Sequence, residues 1–349
     1  YQDMPFSFQV VNAVYVNAYA FPDGTIAVTR GMMAEMESEA QLAAVLGHEI
    51  AHVNCGHTAS AISKSTVYDA LVSGAAGYLA GKGSSWADLA GKAGQLGSAV
   101  VLASYSREQE RQADQGGMEY MVRAGYDPQG MVDLMQLLVR LGGANPSALE
   151  QMFSSHPMSG ERLQAAQERI RAQYAGANSG ADGRAAYQSA TAGLRKSKPA
   201  FQQFAKAEQS LAQKQYAAAQ SAAEQGLRLA PNDYVGLMLV AQAERQSGQI
   251  GAAQQTALRA VRLYPAGARA QSVLAQCALQ QKDYAGALRH LGSFERQVPG
   301  EARIAFYKGL AYEGMGQKAQ AAQAYQGYLR KAGSSSAEGR YAAQRLQRF

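Results

Sequence analysis

The stretch SEAQLAAVLGHEIAHVNCGH, residues 38–57, decides the reading of the first half of the chain. Ser38 followed by Gln41 fits a capping box, in which two side chains satisfy free N–H groups at a helix start. Leu42, Val45, Leu46 and Ile50 then recur at helical spacing, so a helix is predicted over 39–54. Its last turns carry His48-Glu49-Ile50-Ala51-His52. Residues four apart on a helix are neighbours, roughly 5 to 6 Å apart at Cβ, so both imidazoles reach one metal ion. Glu49 projects from the same turn and can take a proton from a water on that ion without being a ligand. Zinc is the natural occupant, because it lowers the pKa of its water to roughly 7. On the pentapeptide alone, an idle glutamate on an exposed helix is the bland alternative.

Two histidines do not complete a site. Ser106-Arg107-Glu108-Gln109-Glu110-Arg111-Gln112-Ala113-Asp114 supplies the missing groups, with Glu110 and Asp114 four apart on one helix face. Glu110 then binds the metal while Asp114 holds the outer N–H of a histidine and fixes its tautomer. His57 lies nine residues beyond His48, a rise of about 13.5 Å if the helix continues, so it is read as a structural hydrogen-bonding residue. His290 is read as a surface residue.

GHEIAHVNCGH (47–57) and SREQERQAD (106–114) together resemble the gluzincin metallopeptidase family that includes HtpX and the CAAX prenyl endopeptidases. Asn17-Ala18-Tyr19-Ala20-Phe21-Pro22-Asp23-Gly24 resembles that family's strand preceding the zinc helix, and Ser155-His156-Pro157-Met158 with Arg162 its HP-to-Arg segment. The resemblance covers most of the chain up to about Tyr174. It implies one zinc ion bound by His48, His52 and Glu110, with Glu49 as general base and later proton donor. It also implies that Asn17 and the adjoining strand edge hold the substrate backbone by β-augmentation; a buried, turn-facing Asn17 is the alternative. His156 has two roles open to it by resemblance: stabilising the oxyanion, or occupying zinc's fourth position as a plug in the resting enzyme. A loop-capping histidine is the structural alternative.

Outward from these motifs, residues 8–21 and 25–29 are rich in Val, Tyr and Thr around Pro22-Asp23-Gly24, a hairpin signal. Helices are predicted over about 107–125 and 129–141. Ile62 to Ser104 is Gly-interrupted and reads as weakly stable and mobile. The loop-like 176–183 marks the best domain boundary. Beyond it, Pro231, Pro265 and Pro299 stand 34 residues apart, in phase with Ala219, Ala253 and Ala287 and with Tyr216, Ile250 and Tyr284. Thirty-four is the tetratricopeptide period. Gly309, Tyr312, Gly316, Ala321 and Tyr325 keep the phase through a fourth unit, and 336–349 reads as a capping helix.

Of the 349 residues, 47% are hydrophobic and 17% charged, with no apolar run long enough to span a bilayer. The net charge of +6 divides into +11 from Lys196 onward and −5 before it. The basic charges lack the aromatic interleaving of single-strand binders, so no nucleic-acid partner is expected. Cys55 and Cys277 are read as free thiols. The chain opens at Tyr1 in a strand-like stretch without an apolar leader, and is read as trimmed.

The expected fold is α+β, mostly α: a zincin-like metallopeptidase domain with a small β-sheet (1–175), a linker (176–195) and an all-α tetratricopeptide-repeat solenoid (196–349). The expected function is a zinc metalloendopeptidase acting on polypeptide substrates, with repeats that dock substrate or outer-membrane assembly machinery. By resemblance to the soluble branch of the family, it is periplasmic. A chaperone or scaffold with a latent, histidine-plugged peptidase site is the alternative.

Overall fold

The computed structural model describes residues 4–64, 105–144, 152–158, 160–176 and 181–349. Most of the Gly-rich stretch read as mobile, and the Asn178-Ser179-Gly180 loop signal, lie outside the described residues. The described residues fall into two compact units, one ending at Ala205 and one running from Lys206 to Phe349.

The first unit begins with a three-stranded sheet of β1 (Ser7–Val11), β2 (Ala18–Ala20) and β3 (Thr25–Thr29), in the order β1-β3-β2. β2 and β3 form the expected antiparallel hairpin, closed where Phe21 N–H donates to Thr25 O (2.9 Å). The strand-like stretch before Gly24 is not one strand. β1 pairs parallel to β3 on its other side, Ser7 opposite Thr25. Thr29 ends β3, and its Oγ1 accepts from Met32 N, which starts α1 (Arg30–Glu35).

Next, α2 (Glu39–Asn54) runs over the predicted residues, with Ser38 Oγ accepting from Gln41 N at 3.2 Å. After α3 (His57–Lys64), α4 (Arg107–Arg123) starts in a full capping box between Ser106 and Gln109, and α5 (Gln129–Ala144) and α6 (Gly160–Gln173) follow. The core between α1, α2, α4 and α5 is methionine-rich: Met32, Met36, Met118, Met121, Met131 and Met135 are all buried. Such flexible side chains fill irregular gaps between helices of unequal length.

The stretch read as a linker carries α7 (Arg184–Ala190) and α8 (Ala192–Lys196), and both are fastened to the first unit. Tyr187 Oη donates to Met33 O (2.7 Å), Arg184 pairs with Glu37 (2.7 Å), and Arg195 donates to Met36 O (2.6 Å). The loop composition ends at Gly183; the buried Tyr187 and two arginines supply an anchor that Gly, Ser and Asn do not. α9 (Lys198–Ala212) follows.

The second unit repeats one helix pair. α10 (Tyr216–Leu229), α12 (Ile250–Leu263) and α14 (Tyr284–Gln297) start 34 residues apart, as do α11 (Tyr234–Gln246), α13 (Ala268–Gln280) and α15 (Ala302–Gly314). α16 (Lys318–Ala332) and the terminal α17 (Ala337–Leu346) complete it. Ala253, Ala257 and Ala260 pack against Leu237, Met238 and Leu274 in one core. Tight turns between paired helices recur at Lys214, Gly248, Lys282 and Gly316, all at positive φ. A side chain there costs roughly 1 to 2 kcal/mol, so glycine at 248 and 316 is the unstrained choice. Tyr325 is fully buried, its ring filling the place of a side chain at Gly309.

No helix among the described residues is long and apolar enough to cross a membrane.

Candidate active site

Backbone contact between α2 and α4 brings the HExxH histidines to Glu110. A Cβ on Gly117 would stand 2.7 Å from His48 N, and one on Gly47 2.6 Å from Gly117 O. Only a glycine pair permits that approach, and it places Glu110, Ala113, Asp114 and Gly117 of α4, all buried, facing α2.

His48, His52, Glu110 and His156 each offer a ligand atom, and these atoms lie within 4.8 Å of one another. His48 Nε2 is 3.0 Å from His52 Nε2 and 3.4 Å from His156 Nδ1. Glu110 Oε1 is 3.2 Å from His52 Nε2 and 3.0 Å from His156 Nδ1, and Glu110 Oε2 is 3.7 Å from His48 Nε2. Ligands about 2.0 to 2.1 Å from a tetrahedral ion stand about 3.3 to 3.4 Å apart. The separations bracket that value, so three imidazole nitrogens and a carboxylate oxygen fit one divalent cation.

The protonation states agree for two of these groups. Burial pushes His52 down to about 2, leaving a neutral ring. Burial would raise Glu110, but His156 and His48 outweigh it and hold the carboxyl well below the usual range. For His48 the balance goes the other way: burial disfavours its cation, yet Glu110 and Asp114 raise it overall.

Glu49 is 3% exposed, and burial pushes its carboxyl up. Its Oε2 has no hydrogen-bond partner among the described residues, while Oε1 is 3.8 Å from His156 Nε2. Beside it lies a cavity of about 30 Å³, lined also by Ala18, His48, Met135, His156 and Met158. That volume is large enough for one water.

Asp114 stands where the spacing puts it, its Oδ1 accepting from His48 Nδ1 at 3.0 Å. Arg162 from α6 grips the same carboxylate through Nε and Nη2, both at 2.7 Å, and pairs with Glu110 Oε2 at 2.5 Å. Its Nη1 also donates to Pro157 O (3.0 Å), tying down the segment that carries His156. The arginine's charge, set against burial, holds Asp114 below its ordinary value.

Asn17 does not join this cluster. It is fully buried, with its side-chain Oδ1 accepting from its neighbour Ala18 N (2.9 Å) and its backbone N–H donating to Thr29 Oγ1 (3.1 Å). It therefore offers substrate no side-chain surface; the adjoining β2, whose Ala18 lines the cavity, is one of the sheet's two edge strands, with Ala18 and Ala20 both buried.

His57 is bonded structurally, as expected, but by another route. α2 does break after Asn54, Gly56 has φ +68°, and α3 begins at His57. The turn brings His57 Nδ1 to 3.1 Å from His52 Nδ1, the nitrogen facing away from the ligand cluster. His290 is half-buried and bonded to Gln271 Oε1 at 2.9 Å. Cys55 and Cys277 are both free, one exposed and one buried.

Sequence reasoning missed Tyr105. Its ring stacks on His52 (centroids 3.8 Å, planes 24° apart) and its N–H donates to Ser155 O at 3.0 Å, beside His156. An aromatic just before the Ser106 cap is the one signal that could have found it.

Residues 1–170 match peptidase family M48. The chain is 32% identical over 168 residues to the Beta-barrel assembly-enhancing protease of Yersinia pestis, covering 47% of this chain and 34% of that protein. It is 31% identical over 166 residues to Metalloprotease YcaL of Escherichia coli (strain K12), covering 48% of this chain and 63% of that protein. The chain thus spans about a third of the first relative's length and under two thirds of the second's. The solved structure of MamA 41-end from Desulfovibrio magneticus RS-1 is similar at 20% identity and a TM-score of 0.37, covering 44% of this chain and 92% of that chain. The HExxH helix, the Glu110 helix and the His156 segment all lie inside the stretch that matches peptidase family M48.

Proposed function

We propose that the chain is a zinc-dependent endopeptidase that hydrolyses unfolded or misassembled polypeptides in outer-membrane protein quality control, in the periplasm. The observation that carries the reading is the convergence of His48 Nε2, His52 Nε2 and Glu110 on one point with Glu49 beside it. When bound, zinc polarises a peptide carbonyl and eases deprotonation of water. Glu49 takes the proton from the attacking water, which the adjoining cavity has room to hold, and delivers it to the leaving amine nitrogen. Asp114 keeps His48 in the tautomer whose Nε2 lone pair faces the cluster, and Arg162 balances the charge of Glu110 and Asp114. The β2 edge receives the substrate backbone beside Ala18. The repeats dock substrate or assembly machinery, in keeping with the name of the Yersinia pestis relative.

The test is metal analysis combined with cleavage of an unfolded protein. The expected result is one zinc per chain, cleavage lost on chelation and regained on adding zinc. Cleavage indifferent to the chelator would overturn the reading.

His156 favours a second reading, in which the resting site is latent and the chain also serves as a scaffold. Its Nδ1 lies 3.0 Å from Glu110 Oε1 and 3.4 Å from His48 Nε2, which suits a plug at the fourth ligand position. As a plug it must leave before a carbonyl enters, so His156→Ala is expected to cleave faster than the natural chain. If it serves the oxyanion instead, initial rates fall by about a hundredfold.

A further inference from the structure

We propose that His57, backed by Gln112, is a positioning residue that sets the tautomer and direction of His52 and thereby the metal affinity of the site. The inference rests on the zinc reading above.

An imidazole gives its Nε2 lone pair to a metal only when its proton sits on Nδ1. In His52 that Nδ1 faces His57 Nδ1 at 3.1 Å. His57 Nδ1 must therefore accept, which places its own proton on Nε2. That nitrogen lies 3.1 Å from Gln112 Oε1. The amide can only face this way round, because Gln112 Nε2 donates to Glu108 Oε1 at 3.3 Å. Glu108 is held in turn by Arg111 Nη2 at 2.6 Å. Each donor in the chain points outward, from His52 through His57 and Gln112 to a surface carboxylate. No link can be reversed without turning the proton of His52 toward the ligand cluster.

The two HExxH histidines are thus held differently. His48 leans on the charged Asp114, within four residues of Glu110 on the same helix. His52 leans on a second imidazole from the segment just beyond its own helix, and Tyr105 stacked on its face leaves only the in-plane direction for His57 to fix. Outer partners of ligating histidines typically contribute 10- to 100-fold to metal affinity.

The experiment measures zinc affinity by chelator competition on the full chain, with the visible spectrum of the cobalt-substituted protein and the melting temperature of the metal-free protein as companions. His57→Phe keeps a ring but no acceptor, and is expected to weaken zinc about 10- to 100-fold, perturb the cobalt spectrum and leave the metal-free melting temperature in place. His57→Asn, which restores an acceptor oxygen, is expected to recover most of the loss. Gln112→Leu, at the exposed end of the chain, is expected to weaken zinc in the same direction by less, and stays informative if His57→Phe does not fold. Zinc affinity within about twofold of the natural chain in His57→Phe or, failing that variant, in Gln112→Leu overturns the proposal. A natural chain that binds no zinc would instead overturn the function on which it rests.

Discussion

Glu49→Gln is expected to bind zinc as the natural chain does and to lose cleavage of an unfolded protein by roughly 10²- to 10⁴-fold. Glutamine matches glutamate in shape, and Glu49 supplies none of the four converging ligand atoms. What the amide lacks is a site that takes up a proton at neutral pH. In the natural chain that site is a buried carboxylate, with Oε2 unpartnered among the described residues and a cavity for water beside it. Metal analysis and initial rates on the same preparation separate the two effects. Rates within about threefold of the natural chain would remove Glu49 from the chemistry. If cells carrying Glu49→Gln assembled their outer membrane normally, the scaffold reading would account for the biology.

Arg162→Leu is expected to cost about 3 to 5 kcal/mol of stability in the metal-free protein. The guanidinium is 7% exposed and holds two carboxylates that are themselves buried, Glu110 at 0% and Asp114 at 4%. Removing it leaves two buried carboxylates without the cation that balances them. Zinc at Glu110 would supply part of the missing charge, so the loss is expected to shrink in the zinc-loaded protein. Urea denaturation of both forms, with and without the metal, measures the difference. A loss under about 1 kcal/mol in the metal-free form, typical of an exposed pair, would contradict this account.

The parts of the site that could be read from the sequence are those whose partners lie within a turn or two of helix. His48 and His52 share a face because they are four apart, and Glu110 and Asp114 do so for the same reason. The capping signal at Ser38 fixed where α2 starts, and the 34-residue phase fixed the starts of the repeat helices. Asn17 shows the limit of the approach. The polar residue expected to meet substrate is fully buried against Thr29 and Ala18, because the hairpin folds its carboxamide inward. The linker shows it again: composition marks a loop through Gly183, but cannot say that Tyr187 finds Met33 more than 150 residues away in the chain.

The helices, the repeat and the residue types that stand ready for a metal are legible along the chain, because helical periodicity is a local property of the backbone. Packing in three dimensions makes α2 and α4 touch at Gly47 and Gly117, sets Arg162 against both carboxylates and turns His57 back onto His52. Those contacts join residues up to 70 positions apart within the peptidase half, and close packing, not spacing along the chain, selects which of them meet.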